Sequence, residues 1–97
     1  VDTILKQAIA ERRQLRCFYN GGYRLIEPHV YGEGREGQGL LRAFQVSGHS
    51  NSDTPTGWKL FHTAELSDVT LTDQTFDEPR TDYNSEDAVM AVVYSHI

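Results

Sequence analysis

Three cationic side chains, Arg24, Arg42 and Lys59, lie in strand-patterned stretches beside aromatic or apolar neighbours, among them Tyr23, Phe44 and Phe61. An arginine fork offers paired N–H donors to a planar carboxylate or phosphate, and a nearby aromatic ring can stack on a base. If adjacent strands turn the three cations onto one concave face, they form a pocket for an anionic ligand. Tyr19, Gln45 and Phe61 are then placed to shape its walls. If they do not converge, each is a solubilising charge on an exposed strand.

Other chemistry is poorly served. Gly32-Glu33-Gly34-Arg35-Glu36-Gly37 matches a dinucleotide-binding spacing, but that site needs a helix opening directly after the glycines. Leu40 to Val46 follows instead and has the pattern of a strand, and Glu33 and Glu36 would repel phosphate. The stretch is expected to be a hairpin loop. His29, His49, His62 and His96 show no metal-ligand spacing, and His29 and His62 are expected to be partly buried polar residues. Ser47, His49 and Asp53 share a loop of turn-forming residues rather than a rigid frame, so no catalytic triad is expected. Glu27 and Glu65 have no spacing that recommends them as paired carboxylates. Cys17 stands alone beside Phe18, which excludes an internal disulfide and suggests a core thiol. No catalytic residue, metal or cofactor is assigned, and an enzyme is not expected.

Composition narrows the partners. Nine Lys and Arg against fourteen Asp and Glu give a net charge of −5, too acidic for a general duplex-DNA binder, which needs many phosphate-neutralising cations. Eight of the nine cations fall between Lys6 and Lys59, so a local basic pocket remains compatible with an acidic chain. No run approaches the roughly 18 to 20 apolar residues that span a bilayer, and no signal-peptide pattern is present. A cytoplasmic location without membrane contact is the expectation.

The elements that must position these residues follow from periodicity. Ile4, Leu5, Ala8 and Ile9 form a helical stripe behind Asp2, a candidate cap, with Arg12 and Arg13 at the far end. A helix over residues 1–13 is predicted. Residues 14–76 alternate as strands: Leu15 to Tyr19, an Asn20-Gly21-Gly22 hairpin signal, Tyr23 to Tyr31, Leu40 to Val46, Trp58 to Thr63 and Val69 to Thr72. Pro28 cannot donate to a ladder, so its strand should bend or bulge there. Residues 77–84 have the composition of a connector. Ser85, followed by Glu86 and Asp87 and by Val89, Val93 and Ile97 on one face, predicts a C-terminal helix over 85–97. One domain over residues 1–97 results, mainly β, with about five strands bent into a small barrel.

The run Ala8-Ile9-Ala10-Glu11-Arg12-Arg13, then Leu15 to Tyr19, then Arg24-Leu25-Ile26-Glu27-Pro28, resembles the opening of a WYL domain. Leu40-Leu41-Arg42-Ala43-Phe44 is similar to the strand that carries the family's tripeptide, here Gly39-Leu40-Leu41. Lys59-Leu60-Phe61 and Leu66-Ser67-Asp68-Val69 are similar to later family segments, with Glu65 where an arginine is common. The resemblance implies an Sm-like or SH3-like barrel that senses ligands or oligomerises, found mostly in bacterial transcription regulators and phage-defence proteins. It implies pocket roles for Arg24, Arg42 and Lys59, with a nucleotide or single-stranded nucleic acid as the ligand. No helix-turn-helix pattern is present, so direct duplex binding is not expected. The alternative is a protein-interaction or homo-oligomerising barrel with no small ligand, its C-terminal apolar helix docked on a neighbour and its edge strands free to pair.

Overall fold

The computed structural model describes all 97 residues, Val1–Ile97. Helix α1 covers Asp2–Glu11 and buries Leu5, Ala8 and Ile9, the apolar stripe visible in the sequence. It stops two residues earlier than its pattern suggests. Arg12 adopts a left-handed conformation (φ 51°, ψ 52°), and its N–H closes on the carbonyls of Ala8 and Ile9. Arg13 therefore opens the first strand. Asp2 does not cap the helix either. Val1 holds the cap position, and the Asp2 carboxylate accepts the Tyr31 hydroxyl at 2.7 Å and pairs with Lys6 at 3.4 Å. These contacts tie the first turn to the sheet.

Six antiparallel strands follow: β1 (Arg13–Tyr19), β2 (Gly22–Glu33), β3 (Gly39–Gly48), β4 (Gly57–His62), β5 (Ser67–Thr75) and β6 (Val92–His96). The main order is β4-β3-β2-β1-β5, and β6 pairs with β2. Asn20 and Gly21 join β1 to β2 as a two-residue turn with φ of 43° and 102°, values that favour Asn and Gly. A single 3₁₀ turn, Thr63–Glu65, joins β4 to β5. Strands β4 and β5 do not pair, so the sheet is open rather than a closed barrel. Tyr19 spans part of the gap, its hydroxyl accepting the His62 N–H at 3.1 Å. No helix is long and apolar enough to cross a membrane.

The predicted C-terminal helix is not formed. Residues 85–91 lie outside helix and strand, and Val92–His96 is a strand. Two physical reasons favour this. Val92, Val93 and Tyr94 are a β-branched and aromatic run, and β2 extends beyond its pairing with β1, leaving backbone groups of Val30 to Glu33 that β6 satisfies. The approach is close: a Cβ on Gly32 would run into the Val92 carbonyl.

Strand β2 also carries the irregularity expected at Pro28. Pro28 pairs with Ala43 but Val30 pairs with Arg42, so His29 is inserted as a bulge. Alternation then sorts the strands onto two faces. Leu15, Cys17, Ile26, Tyr31, Leu41, Ala43 and Phe61 meet α1 in one apolar core on the inner face. Burial pushes the Cys17 thiol up to about 11, so it stays a neutral core group. The outer face is covered instead by the chain that follows β5, beginning with buried Phe76.

Candidate anion-binding mouth and an outer-face fastening

Arg24 sits on β2 where Cys17 of β1 and Gly48 of β3 flank it, at the end of the inner core. Its Nε donates to the Tyr19 carbonyl at 3.2 Å, Nη1 to Gln45 Oε1 at 3.3 Å and Nη2 to Asn51 Oδ1 at 2.9 Å. The guanidinium lies 5.2 Å from the Tyr19 ring centre and 5.6 Å from that of Phe61, and the two rings meet edge to face at 4.8 Å. Arg24 is only 6% exposed, yet no carboxylate stands within ion-pair distance. Every acceptor around it is neutral. A buried charge normally has a counter-charge, because neutral dipoles replace its hydration only in part.

Lys59 lies directly opposite Ala43 and in phase with Phe61, so it belongs to the same face. Its Nζ donates to Ser50 Oγ (3.3 Å), Ser52 Oγ (3.2 Å) and the Thr54 carbonyl (2.7 Å), again without a carboxylate. Gln45 is fully buried. It accepts from Arg24 and donates through Nε2 to the His49 carbonyl at 2.8 Å. Tyr19, Arg24, Gln45, Lys59 and Phe61 thus share the inner face, and residues 49–54 bond Arg24, Gln45 and Lys59 across the region we term the mouth.

Arg42 does not join them. It alternates with Leu41 and Ala43, both in the inner core, and so stands on the outer face. There it binds Asp87 through Nε at 2.6 Å and Nη2 at 3.4 Å. The pair borders a shallow cavity of about 220 Å³ that Trp58, Asp82 and Asn84 complete. The expected convergence of three cations is therefore a convergence of two. The physical reason is phase: Lys59 faces Ala43, whereas Arg42 is one residue out of step.

The outer face carries a polar cluster that the sequence did not recommend. Glu27, 1% exposed, accepts Arg80 Nε at 2.6 Å and Nη2 at 3.1 Å, and Gln14 Nε2 at 2.9 Å. Burial pushes its pKa up, but the hydrogen bonds from Arg80 and Gln14 outweigh this and hold it below 4.5. The bulge delivers His29 to the same cluster. Its Nδ1 lies 2.8 Å from the Glu27 carbonyl, which can only accept, while Nε2 takes the Arg80 N–H at 3.2 Å. The ring is thereby a neutral Nδ1–H tautomer, and burial lowers its pKa below 6.5. Trp58 meets His29 edge-on at 4.7 Å and donates to the Thr81 carbonyl at 2.9 Å; Phe76 stacks on His29 at 5.3 Å, and Arg80 covers Phe44 at 4.6 Å.

His29 is thus wholly buried rather than partly, and His62, expected to be half-buried, is exposed. Glu27 does act with a partner, but the partner is Arg80, not Glu65. One signal in the sequence pointed this way: Arg80 is the only cation after Lys59. No protein-family model matches the chain, and no curated protein or solved structure matches it significantly.

Proposed function

We propose that this chain is a non-enzymatic regulatory module of WYL type, on an Sm-like or SH3-like frame, that senses an anionic ligand in the cytoplasm. Arg24 and Lys59 bind the anion; Tyr19, Gln45 and Phe61 shape the mouth; Arg42 is excluded because it stands on the other face. The ligand class is a nucleotide or single-stranded nucleic acid, and the setting that the resemblance suggests is bacterial transcription regulation or phage defence. The observation that carries the proposal is the buried Arg24 guanidinium with neutral acceptors only. An oxyanion supplies the missing charge through short, charge-assisted bonds, and the neighbouring rings offer a surface for a base.

Titration of small nucleotides and short single-stranded oligonucleotides at low and moderate salt tests this. Affinity should fall as salt rises. Arg24→Gln should weaken binding by at least about tenfold, and Arg42→Ala should leave it unchanged. Absence of binding, or equal binding by Arg24→Gln, would overturn the proposal.

A second function, self-association, is favoured by a separate observation. Strand β6 contains no charged residue or proline, and Val92, Val93 and Tyr94 are 47%, 41% and 42% exposed. Uncharged, apolar edge strands are the ones that pair with a partner. Mass measured against concentration distinguishes the cases: self-association should disappear in Val93→Lys, and a monomer at all concentrations would rule it out.

A further inference from the structure

The oxygens around the two mouth cations come largely from one short segment. Residues 49–56 connect β3 to β4, and every polar contact of Lys59 Nζ is made to them: Ser50 Oγ, Ser52 Oγ and the Thr54 carbonyl. The same segment accepts the shortest hydrogen bond of Arg24, at Asn51 Oδ1, and occupies the Gln45 amide through the His49 carbonyl. Ser50 and Ser52 also lie 2.9 Å apart, so two hydroxyls crowd one ammonium group. From Ser50 to Thr56 the loop has no large apolar side chain, and residues 51–56 are exposed. At its ends the loop is anchored by the His49 N–H on the Tyr23 carbonyl (2.8 Å), the Thr56 hydroxyl on the Val46 carbonyl (3.4 Å) and the packing of His49 on the β1–β2 turn; between them, its bonds to the rest of the molecule are those to the two cations.

We infer that this loop is a resident stand-in for the ligand, and that the ligand it yields to is a phosphomonoester. The inference rests on the anion-binding function of Arg24 and Lys59. Neutral hydroxyl, amide and carbonyl oxygens hold a guanidinium and an ammonium group less strongly than phosphate oxygens do. A terminal phosphate carries up to two negative charges and three free oxygens, matching two cations and the Gln45 N–H donor that the loop would release. An internal phosphodiester carries one charge and two free oxygens, and matches them less well. Asp53 gives a reason for the loop to leave rather than to close over the ligand, since its carboxylate pairs with no cation and would repel the phosphate. Binding thereby frees an exposed segment, which makes the occupied state recognisable to a partner.

The test titrates thymidine, thymidine 5′-monophosphate and inorganic phosphate into the full chain and into the double variant Asn51→Ala, Ser52→Ala, both at exposed positions. The monophosphate and inorganic phosphate should bind, and thymidine should not. The double variant should bind the phosphates about fivefold more tightly, since it no longer offers the competing oxygens. Equal or weaker binding by the double variant, with Arg24→Gln still abolishing it, would overturn the loop's role and leave the anion site standing. Preference for an internally linked, hydroxyl-terminated oligonucleotide over the monophosphate would overturn the ligand class. No binding of any phosphate to either protein would remove the anion site itself.

Discussion

The two faces of the sheet end their cations differently. On the outer face Arg80 reaches Glu27 and Arg42 reaches Asp87, each pair at 2.6 Å. At the inner mouth Arg24 and Lys59 end on neutral oxygens alone. On the proposed function, the difference separates fastening from binding. The Arg80 and Arg42 charges are matched within the molecule and pin the chain after β5 across the sheet. Mouth charges are held in place but unmatched, the condition in which an incoming anion gains most.

Removing charge should cost unequal amounts of stability at the two faces. Arg80→Met strands the buried Glu27 carboxylate and should cost about 3 kcal/mol, because breaking one partner of a buried pair leaves the other uncompensated. In a domain of this size that lowers the thermal midpoint by roughly 12 to 20 °C. Arg42→Met should cost about 1 to 2 kcal/mol, since its pair with Asp87 is only partly buried. Arg24→Met combined with Gln45→Leu removes both ends of the mouth's buried hydrogen bond, takes a donor only from neutral oxygens (the Tyr19 and His49 carbonyls and the Asn51 amide), and should cost about 1 kcal/mol. Thermal unfolding followed by the fluorescence of Trp58, the sole tryptophan, measures all three. Equal losses at both faces would break the comparison.

A smaller effect sharpens it through pH. The folded pKa of His29 lies below 6.5, so between that value and 6.5 the unfolded chain binds the extra proton. Stability is thus fully present above 6.5 and falls as pH drops through this window. Protonation also destroys the acceptor that takes the Arg80 N–H. Glu27, held below 4.5, adds a further loss as pH falls beneath that value. The thermal midpoint should therefore be lower at about pH 5.5 than at about pH 7.5, and His29→Gln should flatten the difference. A mouth variant such as Lys59→Met should keep it.

Local signals made much of the molecule legible. The stripe of Leu5, Ala8 and Ile9, the Asn20-Gly21 turn and the disruption at Pro28 each follow from the conformations those residues allow. The end of the chain was harder, because Val89, Val93 and Ile97 fit a helical face while the deciding factor was the unpaired edge of β2 far away in sequence. The mouth was readable as residue types, and Tyr19, Arg24, Gln45, Lys59 and Phe61 do gather there. Arg42 was not, since one step of strand phase decides the face and a strand pattern with charges on both sides does not fix it. The Glu27–Arg80 fastening joins residues 53 positions apart, with no periodicity linking them.

The central claim is that Arg24 holds an unmatched charge awaiting an anion while Arg42 and Arg80 do not. Arginine side-chain N–H resonances, followed by NMR as thymidine 5′-monophosphate is titrated into the full chain, test it most directly. The Arg24 Nε–H signal should shift and saturate together with the loop amides of Asn51 and Ser52, while those of Arg42 and Arg80 stay still. Movement of the Arg42 or Arg80 signals with Arg24 unperturbed would contradict it.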